Sequence, residues 1–155
     1  MIIFWIIEGI LVILMISLVV WKIADSIKNY KKEQLAISLL NDEPYLRQLQ
    51  YRGGEEWVKA AVAIIDSFSD VKDLQVWESN KGRGYYVAGW GGIWKNIKKF
   101  FPSICEYGQI DYPNKYFKTI KEAREYLEST LYSRLVNDVI ESRKKEIRHQ
   151  QLKED

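Results

Sequence analysis

Cys105 and His149 are the only cysteine and histidine in the chain, and they are the first residues to weigh for nucleophilic or metal chemistry. A closed zinc site takes about four thiolate or imidazole ligands, so two such side chains fall short of one. A Cys–His nucleophilic pair would require the charged C-terminal residues around His149 to fold back onto Cys105. The sequence therefore predicts no catalytic residue, no metal site and no cofactor, and it favours a protein that is not an enzyme.

Two glycine-rich segments, residues 82–84 and 89–92, are the candidates for phosphate binding. Neither has the G-x-G-x-x-G or the G-x-x-x-x-G-K-[ST] spacing, and no Ser or Thr follows Lys95 to hold a magnesium ion. Glycine also serves in turns that need unusual backbone angles. We interpret both segments as turns.

The strongest functional signal is basic and aromatic: residues 93–101, IWKNIKKFF. Its apolar residues recur at helical spacing, and three lysines occupy the arc between them. Such a helix can lie at a membrane surface, where each lysine near anionic lipid contributes about 1 kcal/mol. Packing against neighbouring strands, or contact with an acidic protein or nucleic acid, remain alternatives. The candidate partner or lipid contacts are Glu8, Arg83, Trp90, Trp94, Lys95, Lys98 and Lys99.

These candidates belong to a chain that begins with an unbroken apolar run, residues 2–21, IIFWIIEGILVILMISLVVW. Twenty helical residues span about 30 Å, the thickness of a bilayer's hydrocarbon core. No Lys or Arg precedes the run, and no small-residue cleavage site follows it, which distinguishes it from a secretory signal peptide. Trp5 and Trp21 lie near its two ends, where indoles settle at the headgroups. The sequence predicts an uncleaved transmembrane helix.

Lysines follow this run closely and predict its orientation. Because basic residues favour the cytoplasmic side, we expect the N-terminus outside and the remainder of the chain in the cytoplasm. The predicted membrane-interface residues are Trp5, Trp21, Lys22, Lys28, Lys31 and Lys32.

Glu8 is an acidic residue within the apolar run, and carboxylates near a bilayer centre cost roughly 2.5–3.5 kcal/mol. It could be protonated, reach toward the headgroups or contact a partner helix. Residues 4–8, FWIIE, resemble the start of a mature type IV pilin, in which Phe is followed four residues later by Glu. The resemblance covers this segment alone, and Ile3 stands where that family's peptidase needs Gly, so no function is implied.

Charge is distributed unevenly along the chain, whose net charge is +2. Residues 81–121 hold eight basic and two acidic side chains, whereas residues 41–80 hold four basic and eight acidic ones. So small a net charge does not by itself imply a nucleic-acid partner. The single cysteine excludes an intramolecular disulfide and agrees with a reducing compartment.

After the apolar run, the sequence predicts helices, then a β-hairpin, then further helices. Loose helical periodicity continues over residues 22–40, and residues 41–44 (Asn-Asp-Glu-Pro) are typical of a helix start. Helices are predicted over 44–51, 55–68 and 93–101, strands around 74–77 and 85–90 joined by a turn at 80–84, and one or two strands within 107–117. Thr119 and Glu122 form a capping-box pattern before a long helix.

The predicted architecture is α+β: a single N-terminal transmembrane helix (1–21), a helical stalk (22–40), a small helix-rich cytoplasmic domain with a β-hairpin and a long C-terminal helix (41–142), and a charged extension (143–155). The pattern favours a membrane-anchored accessory or regulatory protein whose partners are membrane lipid and another protein. A membrane-tethered nucleic-acid-binding factor, or a structural subunit of a larger membrane complex, are the alternatives.

Overall fold

A computed structural model of the protein describes residues 2–79, 81–91 and 109–154. In chain order these form helices α1 (Ile2–Asn41), α2 (Glu43–Arg52) and α3 (Gly54–Phe68), strands β1 (Val71–Glu78), β2 (Tyr85–Gly91) and β3 (Gln109–Phe117), helix α4 (Ile120–Glu125), a π-helical turn (Tyr126–Leu131) and helix α5 (Tyr132–Glu154). The fold is mostly helical with one small antiparallel sheet. The predicted helix-rich α+β class, its hairpin and its long C-terminal helix are confirmed.

Helix α1 is one continuous helix of 40 residues, about 60 Å long. The segments predicted as anchor and stalk both lie on it, because no proline interrupts residues 2–41. It ends where Asp42 caps the next helix: the Asp42 carboxylate accepts a hydrogen bond from the Tyr45 N–H at 3.2 Å, and Pro44 lies in the first turn. The predicted helix start at residues 41–44 is therefore confirmed.

Helix α3 lies at the centre of the core. Trp57, Ile64 and Ile65 are almost fully buried on it. The helix contacts the C-terminal half of α1, then α2, β1 and α5. Other elements contribute further buried residues to the same cluster, among them Ala36, Leu39, Leu46, Leu49, Val71, Leu74, Val87, Phe117, Leu135, Val136, Val139 and Ile140. The apolar face predicted for residues 55–68 is what assembles this core.

The sheet has the order β1-β2-β3, with both neighbours antiparallel. Val76 pairs with Val87 in the hairpin, and Val87 pairs with Tyr112 on β3. Gly89 is buried in β2, where a Cβ atom would lie 2.7 Å from Val71 Cγ1. Only glycine lets β1 approach so closely. The strands predicted within 107–117 form one strand, and the helix predicted over 93–101 lies outside the described residues.

The helix predicted to start after Thr119 contains an interruption. Over Tyr126–Leu131 the turns widen to π-helical spacing, so that the Tyr132 N–H donates to the Leu127 carbonyl. The Glu128 carbonyl accepts a hydrogen bond from the Trp57 indole N–H at 3.0 Å. The π-helical turn thus supplies the partner that this buried indole requires.

Candidate functional site

The most distinctive surface of the molecule is the N-terminal half of α1. Every large apolar side chain from Ile6 to Ile23 is between 51% and 67% exposed. The most apolar 18-residue window of the helix has a mean hydropathy of 2.4, and none of it is buried. Among the helices that the structure describes, only α1 is long and apolar enough to cross a membrane.

The predicted membrane-interface residues lie on α1 in two environments. Trp21, Lys22, Lys28 and Lys31 are exposed. Lys32 instead faces the domain, where its ammonium forms an ion pair with the Asp66 carboxylate of α3. Trp5 belongs to α1 as well, and its side chain lies outside the described residues.

Asp66 organises a group of polar residues that we call the Asp66 cluster: Lys32, Asp66, Lys72, Asp73 and Tyr132. Lys72 Nζ donates to the Asp66 main-chain carbonyl, and the Asp73 N–H donates to Asp66 Oδ1 at 3.4 Å. Asp73 has a φ of 50°, within an irregularity of the β1–β2 pairing. The cluster therefore connects α1, α3 and the start of the sheet at one carboxylate.

Tyr132, at the start of α5, completes the cluster. Burial raises the pKa of its phenol to about 12, and the nearby charges of Asp66 and Glu128 act in the same direction. A phenol that holds its proton so firmly is a poor general base at neutral pH. Together with the Lys32–Asp66 ion pair, this property suits the cluster to hold α1, α3 and the sheet together rather than to transfer protons.

A second feature is an open groove of about 690 Å³ between α1, α5 and the connection from α3 to β1. Its floor is apolar, with Leu40, Phe68 and Val139 among the lining residues. Charged residues also line it, and three of the four are acidic: Asp70, Asp138, Arg143 and Glu146. We call this feature the α1–α5 groove.

Arg143 lies at the edge of the α1–α5 groove with one nitrogen unsatisfied. Its Nη2 donates to Asn41 Oδ1 at 2.9 Å. Its Nη1 is buried and has no hydrogen-bond acceptor among the described residues. The next residue, Lys144, forms an ion pair with Glu43 at 3.1 Å, and this contact lowers the pKa of the Glu43 carboxyl. The start of the segment predicted as a charged extension thus contacts α1 and α2.

The residues predicted to contact a partner do not form one surface in the described part of the chain. Glu8 is exposed on α1. The Arg83 guanidinium lies 5.9 Å from the centre of the Tyr116 ring. Trp90 is only 4% exposed, and its ring meets Trp77 edge-on at 6.5 Å, so little of it remains for a partner. Trp94, Lys95, Lys98 and Lys99 lie outside the described residues.

Sequence reasoning missed the Asp66 cluster and the α1–α5 groove. Asp66 could have been noticed in the sequence, because an acidic residue in the last turn of a helix is repelled by the negative end of the helix dipole. Such a residue is stabilised when a cation lies nearby. The groove gives no such signal, because its walls come from residues about 100 positions apart. Within residues 2–79, 81–91 and 109–154, no group of three or more His, Cys, Asp or Glu side chains could hold a metal ion.

Comparison of the chain with protein-family models, with curated proteins and with solved structures finds no match.

Proposed function

We propose that the protein is a single-pass membrane protein whose N-terminal helix holds a small helix-rich domain against a membrane. The observation that carries this proposal is the exposed apolar surface of α1 between Ile6 and Ile23. Contiguous apolar patches of this kind are unfavourable in water and are normally covered by lipid or protein. A bilayer covers all sides of the helix at once, and the run has the length that a bilayer requires.

We place the domain on the cytoplasmic side. The exposed Lys22, Lys28 and Lys31 follow the apolar run on α1, and lysines beside a transmembrane helix favour the cytoplasmic face. Lys32 contributes less to this argument, because Asp66 already neutralises its charge.

In this arrangement the domain acts as a docking module without catalysis of its own. The Lys32–Asp66 ion pair and the buried Ala36 and Leu39 pack the end of α1 against the domain. This attachment raises the effective concentration of the domain for partners at the same membrane. We therefore propose an accessory or regulatory role in which the domain binds another protein at the membrane surface.

Membrane fractionation tests the proposal. The full chain should remain in the pellet when membranes are washed with alkaline carbonate. The variant Leu11→Arg/Leu14→Arg places two charges near the bilayer centre, at roughly 2.5–3.5 kcal/mol each, and should move into the supernatant. Leu35→Arg is the matched control, since Leu35 is exposed on α1 beyond the apolar run. Release of the unmodified chain by carbonate would contradict the proposal.

A structural subunit of a larger membrane complex is the second candidate, and Glu8 is the observation that favours it. This carboxylate has no ion pair or hydrogen bond among the described residues, whereas Ser17 satisfies itself by donating to the Ile13 carbonyl at 2.9 Å. A polar contact from a neighbouring helix would stabilise Glu8 in lipid. Glu8→Leu should leave membrane insertion intact and reduce co-purifying proteins in mild detergent, while Ser17→Ala should change neither. Unchanged co-purification with Glu8→Leu would count against this candidate.

A further inference from the structure

We propose that the α1–α5 groove binds a short basic amphipathic helix of a partner protein. This inference names the partner chemistry for the docking role proposed above, and it rests on that proposal. Two properties of the groove support it: apolar lining residues and a predominantly acidic set of charged residues.

The floor of the groove selects apolar side chains. Its apolar lining residues include Leu40 of α1, Phe68 of α3 and Val139 of α5. Phe68 is 45% exposed. A volume of about 690 Å³ falls within the range of sites that bury a ligand. An amphipathic helix that inserts its apolar face is the common occupant of a groove between helices.

The charges select a cation. Asp70, Asp138 and Glu146 line the groove without an ion pair or hydrogen bond among the described residues, and Arg143 alone opposes them. Complementary charges around an apolar centre determine which partners bind and in which orientation. Lysines or arginines flanking an apolar face would meet these carboxylates, whereas an acidic helix would be repelled.

In the proposed arrangement, with α1 upright in the membrane, the groove lies away from membrane lipid. Ile37, which lines it, follows Trp21 by 16 residues on the continuous helix α1, which places it about 24 Å along the helix axis. That separation is about three Debye lengths at physiological salt, so lipid headgroups neither reach the groove nor interact strongly with its charges. Nucleic acid is excluded by the acidic lining.

Peptide binding to the full chain in neutral phosphatidylcholine nanodiscs tests the inference. The probe is a fluorescein-labelled helix of about 15 leucine and lysine residues at amphipathic spacing, and the control peptide carries glutamate in place of each lysine. Fluorescence anisotropy should show saturable binding of the basic peptide beyond its binding to empty nanodiscs, which measure its affinity for lipid alone, and no such excess for the acidic peptide.

Two charge-reversed variants locate the site. Asp138→Lys/Glu146→Lys should weaken binding of the basic peptide roughly tenfold or more. Glu125→Lys/Glu128→Lys changes the net charge equally at exposed positions that do not line the groove, and it should leave the affinity nearly unchanged. If charge reversal destabilises the fold, Asp138→Asn/Glu146→Gln should still weaken binding, by a smaller factor.

The inference is wrong if the unmodified chain does not bind the basic peptide, or if both charge-reversed variants weaken binding equally. These outcomes leave the carbonate result untouched, so failure of the groove proposal is distinguishable from failure of the membrane proposal. Self-association of the chain that Asp138→Lys/Glu146→Lys abolishes would also overturn it, because a second copy would then occupy the groove.

Discussion

Asp66 shows how one side chain determines the contacts of several elements. It lies in the last turn of α3, where the helix dipole disfavours a negative charge, and its carboxylate is only 11% exposed. Lys32 from α1 and Lys72 from β1 both bind it, one at the carboxylate and one at the main-chain carbonyl. The unfavourable local position is thus offset by two cations from other elements.

Removing the charge of Asp66 should destabilise the fold. Asp66→Asn retains an oxygen for the Asp73 N–H but leaves the partly buried Lys32 ammonium without its counter-charge. We expect the free energy of unfolding to fall by about 1–3 kcal/mol, measured by denaturant titration in mild detergent. The matched control is Asp70→Asn, four residues away and exposed, which should change stability little. Equal effects of the two substitutions would contradict the role assigned to the cluster.

Tyr132 should make the free energy of unfolding decrease with rising pH in the alkaline range. Its phenol has a pKa of about 12 in the folded chain and about 10 when unfolded. Between these values the folded state retains the proton that the unfolded state has lost, so stability is complete below pH 10 and decreases as the pH rises toward 12.

The expected decrease from this one group is about 1.4 kcal/mol at pH 11 and approaches about 3 kcal/mol only above pH 12. Tyr132→Phe should remove that part of the pH dependence, which a comparison of the two proteins by denaturant titration at pH 9 and pH 11 measures. The absorbance of tyrosinate provides an independent check, since the unmodified chain should show one more late-titrating tyrosine than the variant. Identical pH profiles would refute the shifted pKa.

At the level of elements, the most reliable predictions come from short-range signals. The capping box at the start of α4 was predictable from two residues: Thr119 Oγ1 accepts from the Glu122 N–H at 3.2 Å, and Glu122 Oε2 accepts from the Thr119 N–H at 3.3 Å. The cap at Asp42 and the hairpin of β1 and β2 were predictable for the same reason, since each depends on residues close in sequence.

Loss of the capping box should loosen α4. Thr119→Ala removes the acceptor for the Glu122 N–H, at a cost of about 1 kcal/mol. Amide hydrogen exchange in the first turn of α4 should become about fivefold faster, because 1 kcal/mol corresponds to that factor in the opening equilibrium. Thr119→Ser retains the hydroxyl and should exchange almost as the unmodified chain does. Exchange unaffected by the alanine would show that the cap contributes little to the stability of α4.

The π-helical turn marks where local signals fail. Residues 126–131, YLESTL, have no glycine or proline, and their apolar spacing fits an ordinary helix. The turn widens where the Glu128 carbonyl accepts from the Trp57 indole, 71 residues away in sequence. A contact between residues so far apart cannot be predicted from the sequence on either side of the turn. The same reason explains why the α1–α5 groove, built from residues 37–40, 68–71 and 135–146, had no counterpart in the sequence analysis.

For the molecule as a whole, the sequence predicted the composition of the fold better than its surfaces. An unbroken apolar run identified the N-terminal half of α1. Apolar periodicity identified α3 and the long C-terminal helix, since burial of one face dictates the periodic pattern. Which side chains stay accessible depends on tertiary packing. The sequence predicts Trp90 as an accessible aromatic residue, yet its ring meets Trp77 edge-on and is buried.

The proposed orientation makes a prediction about the two ends of the chain. In a chain with Cys105→Ser, a cysteine at position 153 should react with a membrane-impermeant maleimide only after spheroplasts are permeabilised. A cysteine at position 2 should react with intact spheroplasts. Residue 153 is exposed on α5, so burial in the domain would not explain its protection. Labelling of position 153 in intact spheroplasts would reverse the orientation.

Because α1 is continuous from Ile2 to Asn41, its length sets both the rotation of the domain about the helix axis and the distance of the domain from the apolar run. Each residue added to an α-helix turns everything beyond it by about 100° and lifts it by about 1.5 Å. In the proposed arrangement, one residue inserted into α1 near Lys28 would rotate the α1–α5 groove about the helix axis, so that it would face a different direction in the plane of the membrane. Seven added residues would almost restore the original direction of the groove and would move it about 10 Å farther from the membrane. The length of α1 therefore determines whether the groove faces a partner that is held in the same membrane.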